Sequence, residues 1–142
     1  LYLPSSWRQE VVEVAAKQSP QDLGKRGEAI ASRYLADQGW IELEHNWRPH
    51  AQGLRGEIDL VAIEPRGAAS ASLVFVEVKT RSSTRYGWPA EAVTHAKLHQ
   101  LRLLVAAWFR EHPGSWPPPR VDVISLLIGD VAQLRHHRAV EQ

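Results

Sequence analysis

Cysteine and methionine are both absent from the 142-residue chain. The first absence excludes disulfides, thiolate catalysis and cysteine-ligated zinc, and it suits a reducing, cytoplasmic setting. The second makes Leu1 an unexpected natural start. Long apolar runs are missing too. The longest, 103–109, has seven residues, where a membrane-spanning helix needs about 20. The N-terminus lacks the basic start, apolar stretch and small-residue cleavage site of a signal peptide. Nor is there an excess of one charge sign. Lys and Arg number 17 against 16 Asp and Glu, a net charge of +1, whereas nucleic-acid-binding domains usually show a strong basic excess.

What is present reads as one folded domain. The length falls in the usual range of about 100–150 residues, and a chain of this size buries enough apolar surface to fold without a metal or disulfide. Residues 1–21 read as an N-terminal extension, in which Ser6 would cap a short amphipathic helix bearing Trp7, Val11 and Val14. Ser19-Pro20 then separates it from a single domain over residues 22–142. Charge is unevenly spread: between Lys79 and Arg110 six basic residues face Glu91 alone. That pattern fits either a solvated helix face or a phosphate-binding surface.

The apolar spacing predicts a helix over 22–38, carrying Leu23, Gly27, Ile30, Tyr34 and Leu35, with Gly39 as its left-handed cap. Gly24 and Gly27 are poor helix formers, and their presence implies a close approach to another backbone or a ligand. Residues 40–48 alternate, with Ile41, Leu43 and Trp47 expected on the buried side. A strand over 57–64, a hairpin loop over 65–72 and a strand over 73–80 follow. Thr94 is expected to cap a helix reaching residue 111, with Leu98, Leu101, Val105 and Trp108 on one face. A polyproline connector over 115–119 leads to strands at 120–128 and 131–136. The order α-β-β-β-α-β-β predicts an α/β fold, a mixed sheet flanked by helices.

Two strands carry residues that do not suit a core. The run Leu73-Val-Phe-Val-Glu-Val-Lys-Thr80 has the composition of a strand buried on both faces, yet Glu77 and Lys79 interrupt it. Residues two apart in a strand share a face at about 6.6–6.8 Å, so a carboxylate and an ammonium stand side by side. Burying either unpaired costs several kcal/mol, about 3–5 when one partner of a buried pair is removed. One strand earlier, Gly56-Glu-Ile-Asp-Leu-Val-Ala62 places Ile58, Leu60 and Ala62 on one face and Glu57, Asp59 and Val61 on the other. A hairpin would bring Asp59 next to Glu77, and two facing carboxylates repel unless something positive lies between them. A hard divalent cation, Mg²⁺ or Mn²⁺, takes oxygen ligands of this kind, with the Val78 carbonyl as a further donor. The alternative is a structural salt-bridge ladder. The second acidic strand and the surrounding Val and Phe favour a site.

The order Asp59 … Glu77-Val78-Lys79 resembles the PD-(D/E)XK nuclease superfamily. Gly24-x-x-Gly27-Glu28 with Tyr34-Leu35, Asn46-x-Arg48, Gly56-Glu-Ile-Asp-Leu-Val-Ala62 and Val74-Phe-Val-Glu-Val-Lys-Thr-Arg81 resemble the bacterial YraN-like proteins. Those proteins are grouped with its Holliday-junction-resolvase-like members. Ile58 stands where the superfamily name has proline. The resemblance spans residues 22–137 and implies a restriction-endonuclease-like core in a metal-dependent endonuclease acting on DNA, branched or single-stranded. The alternative is a nucleic-acid-binding module on the same scaffold without turnover.

The resemblance also implies roles for single residues. Asp59 and Glu77 would hold Mg²⁺ or Mn²⁺, Lys79 would orient the attacking water, and Glu28 matches the additional acidic residue of resolvase-like members. Those relatives act as homodimers. Lys25, Arg26, Arg48, Arg55, Arg81, Arg85 and Lys97 flank these positions as candidate phosphate contacts. Tyr86 and Trp88 could stack on a base or pack in the core. His95 and His99 lie one helical turn apart but lack a third zinc ligand, and His136-His137 alternate across a strand end. Asp122 is a charge among apolar residues with no evident task.

Overall fold

The structure is a computed structural model that describes residues 19–67, 70–82, 88 and 93–140. The expected short helix around Ser6, together with Arg85 and Tyr86, lies outside the described residues. Helix α1 spans Pro20–Asp37. The Ser19 hydroxyl accepts the Asp22 N–H at 3.1 Å, and Pro20, which has no N–H to orphan, takes the first turn. Ser19-Pro20, which the sequence suggests is a break, is therefore the start of α1. Gly39 turns the chain out of the helix at φ 85°.

Strands β1 (Ile41–Trp47), β2 (Ile58–Arg66) and β3 (Ser70–Arg81) follow, then α2 (His95–Glu111), β4 (Pro119–Ile128) and β5 (Ala132–His137). Thr94 caps α2 by accepting the Lys97 N–H. The strands form one sheet in chain order. Every neighbouring pair is antiparallel except β3 and β4, which run parallel because α2 carries the chain across between them. This is the mixed α/β order expected from the sequence. No helix among the described residues is long and apolar enough to cross a membrane.

Each sheet face has its own core. Ala31 and Leu35 of α1 pack on Leu60, Val74, Val76, Ile124 and Leu126. Leu101, Leu104 and Trp108 of α2 pack on Ile58, Val61, Leu73 and Phe75. Three sequence expectations change here. Ile41 and Leu43 are exposed, at 57% and 36%, because β1 slips register between Glu42 and Glu44 and the extra residue turns the strand over. Glu44 faces inward instead, where it accepts hydrogen bonds from Trp108 Nε1 and His112 Nε2. The alternation of β2 also breaks: Ile58 joins the α2-side core while Leu60 and Ala62 join the α1-side core. Finally, the β2–β3 ladder continues to Arg66↔Ser70, so the hairpin loop is much shorter than 65–72. Proline 65 is tolerated because β1 pairs β2 only as far as Ile63, leaving an open edge beyond it.

Asp122, without a task in sequence, is fully buried and fully engaged. Arg120 donates to both its oxygens at 2.8 and 2.9 Å, His136 Nε2 stands at 2.8 Å and the Ala139 N–H donates at 3.0 Å. His136 also meets the Tyr34 hydroxyl at 3.1 Å, and Arg120 and Arg138 both reach Glu64. Burial pushes the Asp122 carboxyl up, but His136, Arg120 and the Ala139 N–H outweigh it and hold it at about 2. A carboxyl depressed in the fold stabilises it above the ordinary value of 3.8, and that contribution disappears as pH falls toward 2. Asp122→Ala strands Arg120 and His136 and is expected to destabilise the protein by about 3–5 kcal/mol. Denaturant melts should show that loss and a flatter stability profile below about pH 4, with Glu64 supplying the remaining slope.

Candidate active site

The β2–β3 ladder stops at Leu60↔Val76. One residue further the strands part, and the Asp59 carboxylate takes the place of the missing backbone partner. Its Oδ2 accepts the Val78 N–H at 2.8 Å. The amide of Val78 is thus committed to Asp59. Glu77 stands beside this notch, buried to 5% exposure. Lys97 Nζ, from the first turn of α2, lies 3.5 Å from Glu77 Oε1, while Oε2 is buried with no hydrogen-bond donor on it among the described residues. The Asp59 carboxyl is within hydrogen-bonding reach of Glu77, so the two acids can share one proton or one cation. An unsatisfied buried carboxylate oxygen is costly and calls for an explanation such as an ion or a water.

Helix α1 brings Glu28 to the same notch. It comes close because Gly27 has no side chain: a Cβ there would fall 1.9 Å from Thr80 Oγ1 on β3. Gly24 differs, facing open space. Carboxylate oxygens of Glu28, Glu57 and Asp59 lie within 4.8 Å of one another. Gly56 sets the entry to β2 at φ 111°, with Gln100 Nε2 of α2 so close that a Cβ would meet it at 2.6 Å. The same Gln100 donates to the Arg55 carbonyl at 2.8 Å, tying this loop to α2. A cleft of about 570 Å³ between α1 and β1, lined by Gly24, Lys25, Glu28, Asn46, Arg48 and Glu57, opens over Glu28 and Glu57; Asp59 and Glu77 do not line it.

The electrostatics follow from this crowding. Burial, then the Asp59 charge, push Glu77 up to about 7, against the pull of Lys97 and Lys79. Burial raises Asp59 as well, opposed by the Val78 N–H and aided by the Glu57 charge. Glu28 rises through burial and then the charges of Asp59 and Glu57. The cluster holds too many like charges for its surroundings, which is the condition in which a divalent cation binds well.

A family model described as "Uncharacterised protein family UPF0102" matches residues 27–126, which span α1 to β4 and every carboxylate of the notch. The chain belongs to this family, UPF0102. It is 45% identical over 107 residues to a UPF0102 protein of Clavibacter michiganensis, covering 75% of this chain and 83% of that one. A UPF0102 protein of an Arthrobacter species is 45% identical over 120 residues, 83% of this chain and 94% of the relative. One of Mycolicibacterium vanbaalenii is 37% identical over 125 residues, 87% and 96% of the two chains.

The other candidate residues of this UPF0102 chain are scattered in their surroundings. Lys79 is half-buried on the Glu77 face, and its ammonium has no hydrogen-bond or ion-pair partner among the described residues. Lys25 lines the cleft. Arg26 lies on another side of α1, with Ile30, Arg33, Tyr34 and Leu134. Arg48 is bound to Glu57, Nε to Oε2 at 3.2 Å, and Lys97 is bound to Glu77. Arg55 and Arg81 are exposed, as are His95 and His99. The Trp88 ring carries the Arg135 guanidinium at 3.5 Å, so that face of Trp88 already has a cation on it. His136 belongs to the Asp122 network, and His137 meets Ser125.

Asn46 has a place in the cluster that sequence reasoning did not assign. Its Nδ2 lies 3.3 and 3.4 Å from the two Glu28 oxygens and 3.1 Å from Glu57 Oε1. The motif Asn46-x-Arg48 was the available signal, since both residues end on Glu57.

A carboxyl raised by folding stabilises the protein only while protonated. Stability of the metal-free protein should therefore fall as pH rises from about 4.5 through 7. Glu77→Gln is expected to flatten that slope and raise the Tm above pH 7. Thermal melts in chelator across this range check it, and an unchanged slope would contradict the assignment to Glu77.

Proposed function

We propose that this UPF0102 protein has a restriction-endonuclease-like core and is a divalent-metal-dependent endonuclease that hydrolyses phosphodiester bonds in DNA. The observation that carries the reading is the buried oxygen of Glu77, without a hydrogen-bond donor among the described residues, beside Asp59 where the strands part. The donor set suits Mg²⁺ or Mn²⁺: the carboxylates of Asp59 and Glu77, with the Val78 carbonyl as a further donor, are hard oxygen ligands, and both carboxyls are raised above their ordinary titration range. Asp59 and Glu77 would hold the ion, and Glu28 would approach it from α1. When bound, the ion supplies Lewis-acid stabilisation of the phosphoryl charge and a more acidic water.

The remaining chemistry belongs to the chain's own groups. Lys79 is the ammonium nearest in sequence to Glu77 on the same face, and with no hydrogen-bond or ion-pair partner among the described residues it is available to orient the attacking water or share the phosphoryl charge. Lys97 neutralises Glu77 Oε1 in the metal-free state and becomes available to phosphate once an ion takes over that task. Lys25 would meet the strand in the cleft, and Arg55 and Arg81, both exposed, are open to further phosphates. The near-neutral total charge fits a short footprint of phosphate contacts rather than a long one. Branched or single-stranded DNA, a homodimeric assembly and a cytoplasmic location belong to the same reading.

Purified protein with Mn²⁺ is expected to cut DNA among duplex, single-stranded and four-way substrates. Asp59→Asn and Glu77→Gln should reduce cleavage below detection, and Lys79→Ala should slow it by about 10²–10³-fold without loss of Mn²⁺ binding. Unimpaired cutting by Lys79→Ala would contradict the role of that residue. Mn²⁺ uptake without cleavage of any substrate would favour a binding module instead.

A further inference from the structure

The carboxylate notch is supported from one side by a residue whose backbone is unusual. Asn46 sits within the edge strand β1, yet its φ is 51°, and the only other non-glycine residue at positive φ among the described residues is Ala139. Asn tolerates the left-handed region better than most residues because its short polar side chain can bond locally. In an extended strand that conformation needs a compensating interaction. Here the compensation is the amide. Nδ2 reaches both oxygens of Glu28 on α1 and Oε1 of Glu57 at the entry to β2. The other Glu57 oxygen is occupied by Arg48, through Nε at 3.2 Å and Nη2 at 3.1 Å. A chain of contacts thus runs Arg48–Glu57–Asn46–Glu28, from β1 across to α1.

We infer that Asn46 is the positioning residue of the carboxylate cluster, a neutral two-proton clamp that holds Glu28 and Glu57 together beside Asp59. Its meaning for catalysis rests on the metal-dependent reading above. Two carboxylates facing one another repel, and both N–H bonds of a single primary amide are needed to satisfy one oxygen on each. Aspartate in this position would add a further negative charge and no donor. Glycine would keep the backbone conformation and remove the amide. Glu57, with both oxygens held, acts as a strut; Glu28, held only at its Asn46 side, keeps lone pairs directed into the cluster. Outer partners of this kind orient ligands, and their loss lowers metal affinity or activity by about 10–100-fold.

The test has a metal-free part and a metal-bound part, both on the full chain. In the metal-free protein, the Asn46 side-chain amide resonances are followed by NMR in wild type and in Glu28→Ala. They should shift and exchange faster with water once the acceptor is gone; unchanged resonances would overturn the clamp. Mn²⁺ affinity is then measured for Asn46→Gly and Asn46→Asp in the wild-type and Glu28→Ala backgrounds. Asn46→Gly should weaken Mn²⁺ about 10–100-fold in the first and less than about twofold in the second, with Asn46→Asp no better. Equal losses in both backgrounds would make Asn46 a fold residue only and overturn the proposal. A responsive Asn46 amide in a protein that takes up no Mn²⁺ would uphold the clamp and overturn the nuclease reading instead.

Discussion

One hydrogen bond decides how the central strands end. At Val78 the ladder partner should be a backbone carbonyl of β2, and the Asp59 carboxylate is there in its place. Because a side chain satisfies that N–H, β2 is free to turn away, and the separation of β2 from β3 leaves room for other groups. Glu28 enters from α1 through the gap that Gly27 leaves at Thr80. Glu77 stays on β3, close enough for the Asp59 charge to oppose its ionisation.

The protein buries acids in two opposite ways. Asp122 is fully enclosed and every oxygen has a positive or N–H partner, so it stays ionised deep into acid. Glu77 is nearly as enclosed, with a lysine 3.5 Å from one oxygen and no hydrogen-bond donor on the other among the described residues. The first arrangement knits β4, β5 and the chain after β5 into one unit and needs nothing from outside. The second is incomplete. A divalent cation would complete it, and the neighbouring oxygens of Glu28 and Glu57 add further negative field. Fold strength is concentrated in one network and chemical potential in the other, on separate parts of the same sheet.

The sequence made much of this legible, unevenly. Helix α2 was readable because a capping threonine precedes a clear apolar stripe. The nearness of Asp59 to Glu77 is readable from two acidic strands joined by a short loop, although the ladder itself stops one residue short of that pair. Strand β1 was misread because alternation assumes an unbroken pleat, and a one-residue slip at Leu43 reverses its faces. The loop over 65–72 expected from sequence is too long because Pro65 and the small residues after it look like a loop, although an open edge lets the ladder run through to Arg66 and Ser70. Arg48 and Lys97 read as free cations because their acidic partners, Glu57 and Glu77, come from other elements. Asp122 had no assignable role for the same reason: its partner His136 lies on a different strand, brought into reach only by the β4–β5 pairing.

In the proposed function the Glu77 oxygen that lacks a donor and the Asp59 carboxylate together form a cation site. Crystals soaked in Mn²⁺ and measured at the manganese absorption edge test it most directly. One strong anomalous peak is expected in contact with both carboxylates, with Lys97 displaced from Glu77. A map without a peak there, and with Lys97 still against Glu77, would contradict it.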